Sequence, residues 1–237
     1  MRFARPLVRG TLIRRYNRFL ADVTLEGGET VTAHCPNPGS MMGLNAPGLA
    51  VWLEPTPGPK RKLSHAWRLV EAPGGGWAGI DATAPNRIVA EALAARAIPA
   101  VAAYGGVRAE ARYGENSRVD FLLTEPGLPP LYLEVKNVHL RREGDWAEFP
   151  DCVTARGAKH LRELSAMVAA GARAVMLYVV QRDDCARMRL AADLDPAYAA
   201  AFAVARAAGV EAVAHGCALS PEAVTLGAPM PLVDEAR

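Results

Sequence analysis

The chain has little of several things, and each shortage excludes a class of protein. None of its apolar runs approaches the roughly 20 residues that a helix needs to cross a bilayer, so a helical membrane protein is excluded. The opening residues, MRFARPLVRG, contain no apolar stretch of the kind a secretory leader carries, and a cytoplasmic location is expected. Cysteine is scarce and scattered, at Cys35, Cys152, Cys185 and Cys217. No two of these form a Cys-x-x-Cys pair, which argues against a zinc ribbon or a dithiol redox motif and for reduced thiols. His34-Cys35 has no further ligand at metal-binding spacing. Internal repeats are missing, and no segment reads as a helix-turn-helix, so a conventional transcription regulator is not indicated.

What is present begins with uneven charge. The 237 residues carry a net charge of only +2. Residues 1–70 nevertheless hold ten basic side chains (Arg2, Arg5, Arg9, Arg14, Arg15, Arg18, Lys60, Arg61, Lys62 and Arg68) against four acids, Asp22, Glu26, Glu29 and Glu54. Such asymmetry suits an N-terminal part that meets a polyanion, although a solvated surface accounts for it equally well. The same part is rich in short β-type runs: Leu7–Ile13, Phe19–Leu25, Thr30–His34, Leu49–Leu53, Ala66–Val70 and Trp77–Ile80. Gly27-Gly28 is a hairpin signal, and CPNPGSMMGLNAPG and PTPGPKRK are turn-rich connections. Strands at this spacing predict a small OB-type barrel over residues 1–80, a fold that often binds nucleic acid.

Beyond Gly74-Gly75-Gly76 the pattern changes, and residues 81–237 read as a second domain. PNRIVAEALAARA places a proline in the first turn of a helix. Val107–Arg112, Arg118–Leu123 and Leu131–Val138 are strands. TARGAKHLRELSAMVAAG is an amphipathic helix with Leu161, Leu164, Met167 and Val168 on one face. RAVMLYVVQRDD is apolar enough for a strand buried on both faces, PAYAAAFAVARAAGV is a helix, and EAVAHGCAL is a last strand. The order α-β-β-β-α-β-α-β predicts a mixed sheet with packed helices.

Within these strands three charges stand out: Asp120 in the second, and Glu134 and Lys136 in the third. Charges removed from water are costly unless paired or bound to metal. On adjacent strands Asp120 and Glu134 lie about 5 Å apart if they are cross-strand neighbours. Two carboxylates that close repel, and a divalent ion resolves the conflict. Oxygen ligands favour Mg²⁺ or Mn²⁺. Strand alternation puts Lys136 on the same face as Glu134, with Val135 turned to the core. Asp followed 14 residues later by Glu-x-Lys is therefore a minimal apparatus for metal-assisted phosphodiester hydrolysis. A Glu–Lys pair on a solvated edge strand is the competing explanation.

Other residues extend this picture. Arg156, Lys159, His160 and Arg162 form a basic patch suited to a phosphate backbone, alongside Arg14, Arg15, Arg18 and the run Lys60, Arg61, Lys62. Glu91 offers a third carboxylate to the metal, although an i,i+4 pair with Arg87 explains it as well. Gln181 and Arg182 are placed to reach the same cleft, and His139 reads as an exposed strand-end histidine. Trp52, Trp67, Trp77 and Trp146 fit core positions or base-stacking platforms better than a sugar site.

From end to end the sequence resembles the sugar fermentation stimulation protein A (SfsA) family. The stretches that carry the resemblance are RGTLIRRYNRFLADV, AHCPNPGSM, PKRKLSHAWRLVE, PNRIVAEAL, YGENSRVDFLL, YLEVKNV, FPDCVTARGAKHL and AVMLYVVQRDD. The resemblance implies an α+β architecture: an N-terminal OB-like barrel followed by an α/β domain of the PD-(D/E)XK nuclease type. It also implies DNA binding and a role in regulating sugar metabolism. Asp120, Glu134 and Lys136 match the three signature positions, and Glu91 matches the extra acid of the first helix. The signature's proline position holds Val119. Two functions follow as expectations. One is a Mg²⁺- or Mn²⁺-dependent nuclease acting on DNA. The other is a catalytically inert DNA-binding regulator of maltose-type sugar genes, since a fold can outlive its chemistry.

Overall fold

The computed structural model describes residues 1–58, 62–114 and 117–233. Lys60 and Arg61 of the basic run lie outside the described residues. The first part contains β1 (Val8–Tyr16), β2 (Leu20–Leu25), β3 (Thr30–His34), β4 (Ala50–Pro55), β5 (His65–Glu71) and β6 (Trp77–Gly79). These strands fall where the alternation predicts them. They pair in the order β3-β2-β1-β4-β5-β6, and a parallel β3–β5 pairing closes the first five into an OB barrel. Closure removes the exposed sheet edge. Along β1 one end must pair with both β2 and β4, and Gly10 sits in both ladders. A Cβ there would lie 2.6 Å from Val23 Cγ1, so the crossing needs a residue without a side chain. The barrel interior is filled by Leu12, Val23, Met41, Leu44, Leu53 and Trp67, all buried.

The second part starts with α1 (Ala84–Ala94) and a 3-10 turn at Pro99–Val101, followed by β7 (Gly106–Tyr113), β8 (Ser117–Thr124), β9 (Leu131–Val138) and β10 (Trp146–Phe149). Then come α2 (Ala155–Ala169), β11 (Arg173–Val180), β12 (Arg187–Leu190), α3 (Pro196–Ala207), β13 (Glu211–Leu219), β14 (Val224–Met230) and β15 (Leu232–Val233). The main sheet has the order β14-β13-β11-β9-β8-β7, mixing parallel and antiparallel pairs. A small parallel sheet, β10-β12-β15, lies beside it. The sequence reading missed β10, β12, β14 and β15. These are short, polar or interrupted by Pro229, and tertiary pairing rather than local pattern makes them strands.

The sheet separates two apolar layers. On one face α1 packs Ile88 and Val89 against Phe121, Leu133 and Val135. On the other, α2 and α3 bring Leu161, Leu164, Tyr198 and Phe202 onto Val138 and Tyr178. β11 runs through the middle and is buried almost throughout, as its uninterrupted apolar run predicts.

Polar bonds stitch the two parts together. Gly79 N donates to Gln181 O at 2.8 Å, Ala78 bridges Arg182, and Ser40 N donates to Asp151 Oδ2 at 3.0 Å. Gln181 and Arg182 belong to this seam, which corrects their assignment to the cleft. Gln181 Nε2 bonds Asn137 Oδ1 (2.6 Å) and Asp81 O (3.0 Å), and Arg182 holds Asp184 and His139 O. His139 is also not exposed, because the seam covers it and leaves its side chain only 7% accessible.

Candidate metal centre

The centre forms where the β8–β9 ladder stops. Phe121 pairs with Leu133, and the next pair in that register would be Asp120 with Glu134. There the Asp120 side chain takes over from the backbone: its Oδ2 accepts the Val135 N–H at 2.7 Å. Its Oδ1 accepts from Asn86 Nδ2 on α1 at 2.7 Å. On the other flank, Glu110 of β7 sits between the pairs Ala109–Phe121 and Ala111–Val119 with φ of +51°. A non-glycine residue in that region costs on the order of 1–3 kcal/mol and marks a local distortion beside Asp120.

Glu134 and Lys136 emerge on the face that carries Tyr132 and Val138, as alternation requires, while Val135 points into the α1 layer. The Glu134 carboxyl is buried, with 3% of its side chain accessible. Its Oε1 accepts from Lys136 Nζ at 2.8 Å and contacts His160 Nδ1 of α2. Arg156 Nε donates to the other ring nitrogen, His160 Nε2, at 3.3 Å. The imidazole proton therefore lies on Nδ1, facing the carboxylate. Glu134 Oε2 has no hydrogen-bond partner among the described residues.

Electrostatics divides the two acids. Burial pushes Asp120 up from the ordinary carboxylate range, and the nearby Glu134 charge adds to this, against the donors Val135 N and Asn86. Burial also raises Glu134, but the His160 hydrogen bond and the Lys136 charge outweigh it and hold Glu134 below its ordinary value. One acid thus stays ionised with the help of cations, and its neighbour bears the cost. Two further buried oxygens near this face, Tyr113 Oη and Glu163 Oε2, have no partner among the described residues. Burial, followed by the charges of Glu134, Glu163 and Asp120, raises the Tyr113 phenol far above its usual range.

Lys136 meets Glu134 directly, and Asp120 reaches the backbone of Val135, the residue between them. Glu91 does not join them. It lies five residues beyond Asn86, about 140° around α1, and is 61% exposed, where it pairs with the Met1 ammonium at 2.6 Å. Asn86 provides the α1 contact instead, and an Asn near a helix start gives no hint of that role. His160 also departs from expectation: it is buried against Glu134 rather than displayed in a basic patch. Arg156 and Lys159 remain exposed on α2. Across the barrel, Arg15 is taken up by the carbonyls of Asn37 (2.8 Å) and Gly39 (2.9 Å), which leaves it little to offer a phosphate. Arg14 pairs with Asp22 at 2.8 Å, yet two thirds of its side chain is open to solvent. Arg18, at the β1–β2 turn, and Lys62 are exposed.

A closed OB barrel joined to a mixed α/β part that carries Asp and Glu-x-Lys at a broken strand pair defines a protein of mixed α+β class. Family comparison agrees with that class. Residues 13–80 match the model described as "SfsA N-terminal OB domain", and residues 83–223 match "Sugar fermentation stimulation protein RE domain". The chain belongs to the SfsA family. It is 64% identical to a sugar fermentation stimulation protein homolog of Dinoroseobacter shibae over 98% of this chain and 96% of that one. A homolog from Jannaschia sp. is 61% identical over 98% and 97% of the two chains. Among solved structures it is similar to Pyrococcus furiosus SfsA in complex with Ca²⁺, with 26% identity, a TM-score of 0.84 and 98% of each chain covered. No helix among the described residues is long and apolar enough to cross a membrane.

Proposed function

We propose that the chain is a cytoplasmic DNA-binding protein whose second domain hydrolyses phosphodiester bonds with Mg²⁺ or Mn²⁺ held by Asp120 and Glu134. The observation that carries this reading is Glu134 Oε2: a buried carboxylate oxygen without a partner, next to an aspartate driven towards protonation. The donors are hard oxygens, which suits a hard divalent ion whose other positions go to water and phosphate oxygens. The Ca²⁺ bound by the Pyrococcus furiosus relative supports a cation in this family. When bound, such an ion supplies an activated water and charge neutralisation on the phosphate.

The chain's own residues do the rest. Asn86 and Val135 N fix the Asp120 carboxylate, while His160 anchors Glu134 and is itself held by Arg156. Lys136 serves as counter-ion to Glu134 in this state, and with phosphate present its ammonium is placed to orient the nucleophile or the phosphoryl oxygen. Arg14, Arg18, Lys62, Arg156 and Lys159 provide exposed charge for a nucleic-acid backbone.

A second reading, an inert DNA-binding regulator of sugar metabolism, draws on one observation. Among the described residues no three His, Cys, Asp or Glu side chains are grouped to hold a metal, and Glu91 pairs with the Met1 ammonium instead. A panel of labelled DNA and RNA, incubated with and without Mn²⁺, separates the two. Mn²⁺-dependent cutting supports the nuclease, and binding without cutting supports the regulator.

A further inference from the structure

A crevice of about 310 Å³ opens where the N-terminal segment crosses the barrel, well apart in composition from the carboxylate centre. Its wall holds four guanidinium groups, from Arg2, Arg5, Arg68 and Arg87, and one carboxylate, Glu54. That carboxylate is buried and saturated. Its Oε1 accepts from Ala4 N (2.7 Å) and Arg5 N (3.3 Å), and its Oε2 accepts from Arg68 Nε (2.9 Å). Arg68 continues to buried Asp81, so its own charge is matched twice. Arg87 meets Asp81 only at 3.5 Å and is 55% exposed. Arg2 and Arg5 are exposed and form no ion pair among the described residues. With the Met1 ammonium matched by Glu91, the four guanidinium groups stand against two carboxylates, Glu54 and Asp81, which leaves an excess of two positive charges.

The wall is also held in place before any ligand arrives. Arg2 forms a β-bridge with Ala223, Phe3 N donates to Glu222 O at 3.1 Å, and Glu54 clamps the backbone of residues 4 and 5. Glu54 and Asp81 are saturated acids that hold Arg68 and the backbone of residues 4 and 5 in place. Forked guanidinium donors in a concave site recognise phosphate oxygens in pairs. A diester inside a strand brings one negative charge and two bulky substituents. A monoester brings up to two charges and one substituent, which matches the charge excess.

We propose that this crevice binds a phosphate monoester, either a small phosphorylated molecule or the 5′-phosphate end of a nucleic-acid strand. The site does not depend on the metal centre, although Arg87 and Asn86 are neighbours on α1 and serve one site each.

Calorimetry with inorganic phosphate, and anisotropy with a short labelled oligonucleotide carrying either a 5′-phosphate or a 5′-hydroxyl, test the proposal. The proteins are the wild type, Arg2→Ala/Arg5→Ala and the single exposed charge reversal Arg5→Glu. Wild type should bind phosphate, and both variants should lose tenfold or more in affinity with unchanged circular dichroism and an unchanged response to Mn²⁺. A tenfold preference for the 5′-phosphate that both variants abolish identifies a strand end as the source. Phosphate binding with no preference between the oligonucleotides identifies a small phosphomonoester. Failure of the wild type to bind phosphate in any form, or undiminished binding by both variants, overturns the site. Because Mn²⁺ response is read separately, a failure here leaves the metal-centre reading standing, and the reverse holds too.

Discussion

Glu148 and Glu134 are both carboxylates buried in the second domain, and they differ in how completely their oxygens are bonded. Glu148, on β10, is completely enclosed. Arg142 grips both its oxygens, at 2.8 and 2.9 Å, and Arg189 adds a third bond at 3.0 Å. Burial raises its pKa, but these two guanidinium groups outweigh that and keep it below the ordinary range. No oxygen is left over. Glu134 is held low in a similar way, yet its bonds converge on one oxygen and leave the other without a partner among the described residues, while burial and the Glu134 charge raise Asp120 beside it. A saturated buried acid ties elements together. An unsaturated one, paired with a second acid, is suited to receive a cation.

The sharpest break in this comparison is catalytic. Lys136→Ala is expected to remove Mn²⁺-dependent cleavage by roughly two to three orders of magnitude or more, since its ammonium acts on charge developing at the phosphate. Lys136 is also the counter-ion of buried Glu134, so the variant is expected to lose stability as well, and cleavage is compared on protein that circular dichroism shows to be folded. Equal cleavage by wild type and variant, in a single-turnover assay, would remove Lys136 from the chemistry.

Next in size is the structural acid. Glu148→Gln leaves Arg142 and Arg189 beside a neutral group, and loss of one partner from a buried pair costs about 3–5 kcal/mol. Urea denaturation should show that loss while the Mn²⁺-induced stabilisation stays the same. A similar loss of Mn²⁺ response in this variant would erase the distinction between the two acids.

Asp120→Asn tests the opposite pole. Saturating Mn²⁺ should stabilise the wild type by about 2.7 kcal/mol at a hundredfold excess over its dissociation constant, and the variant by little. In the absence of metal the pH dependence has a definite sign. Asp120 has a raised folded pKa, so its contribution is intact at low pH and is lost as pH rises through that value. Metal-free Asp120→Asn should therefore match the wild type in acid and exceed it near neutrality. Equal Mn²⁺ shifts in both proteins would mean that these carboxylates bind no metal, leaving only the salt bridge to Lys136.

The smallest effects concern the barrel. Arg18→Ala and Lys62→Ala should each weaken DNA binding modestly and reduce the salt slope by about one counterion per lost contact. Arg15→Ala should instead lower stability, because that side chain fastens the loop from Asn37 to Ser40. A reversed pattern would move the nucleic-acid surface to the loop side.

Much of this was legible in the sequence. Strand alternation located the five barrel strands and put Glu134 and Lys136 on one face, because a period of two is a local property of an extended chain. The spacing from Asp120 to Glu134, with a turn between, brought the acids onto adjacent strands. Local pattern could not say which way α1 turns. Its register on the sheet sends Asn86 to Asp120 and Glu91 to the N-terminus, and packing of Ile88 and Val89 sets that register. Nor could it show that His160 and Arg15 are consumed by internal partners, since a basic side chain reads the same whether it faces solvent or a carboxylate. The orphaned oxygen of Glu134 and the arginine-lined crevice arise only from segments far apart in the chain. Sequence determined which elements form and which charges they carry. Tertiary structure decided which of those charges are already satisfied, because satisfaction depends on partners that only long-range packing brings within bonding distance.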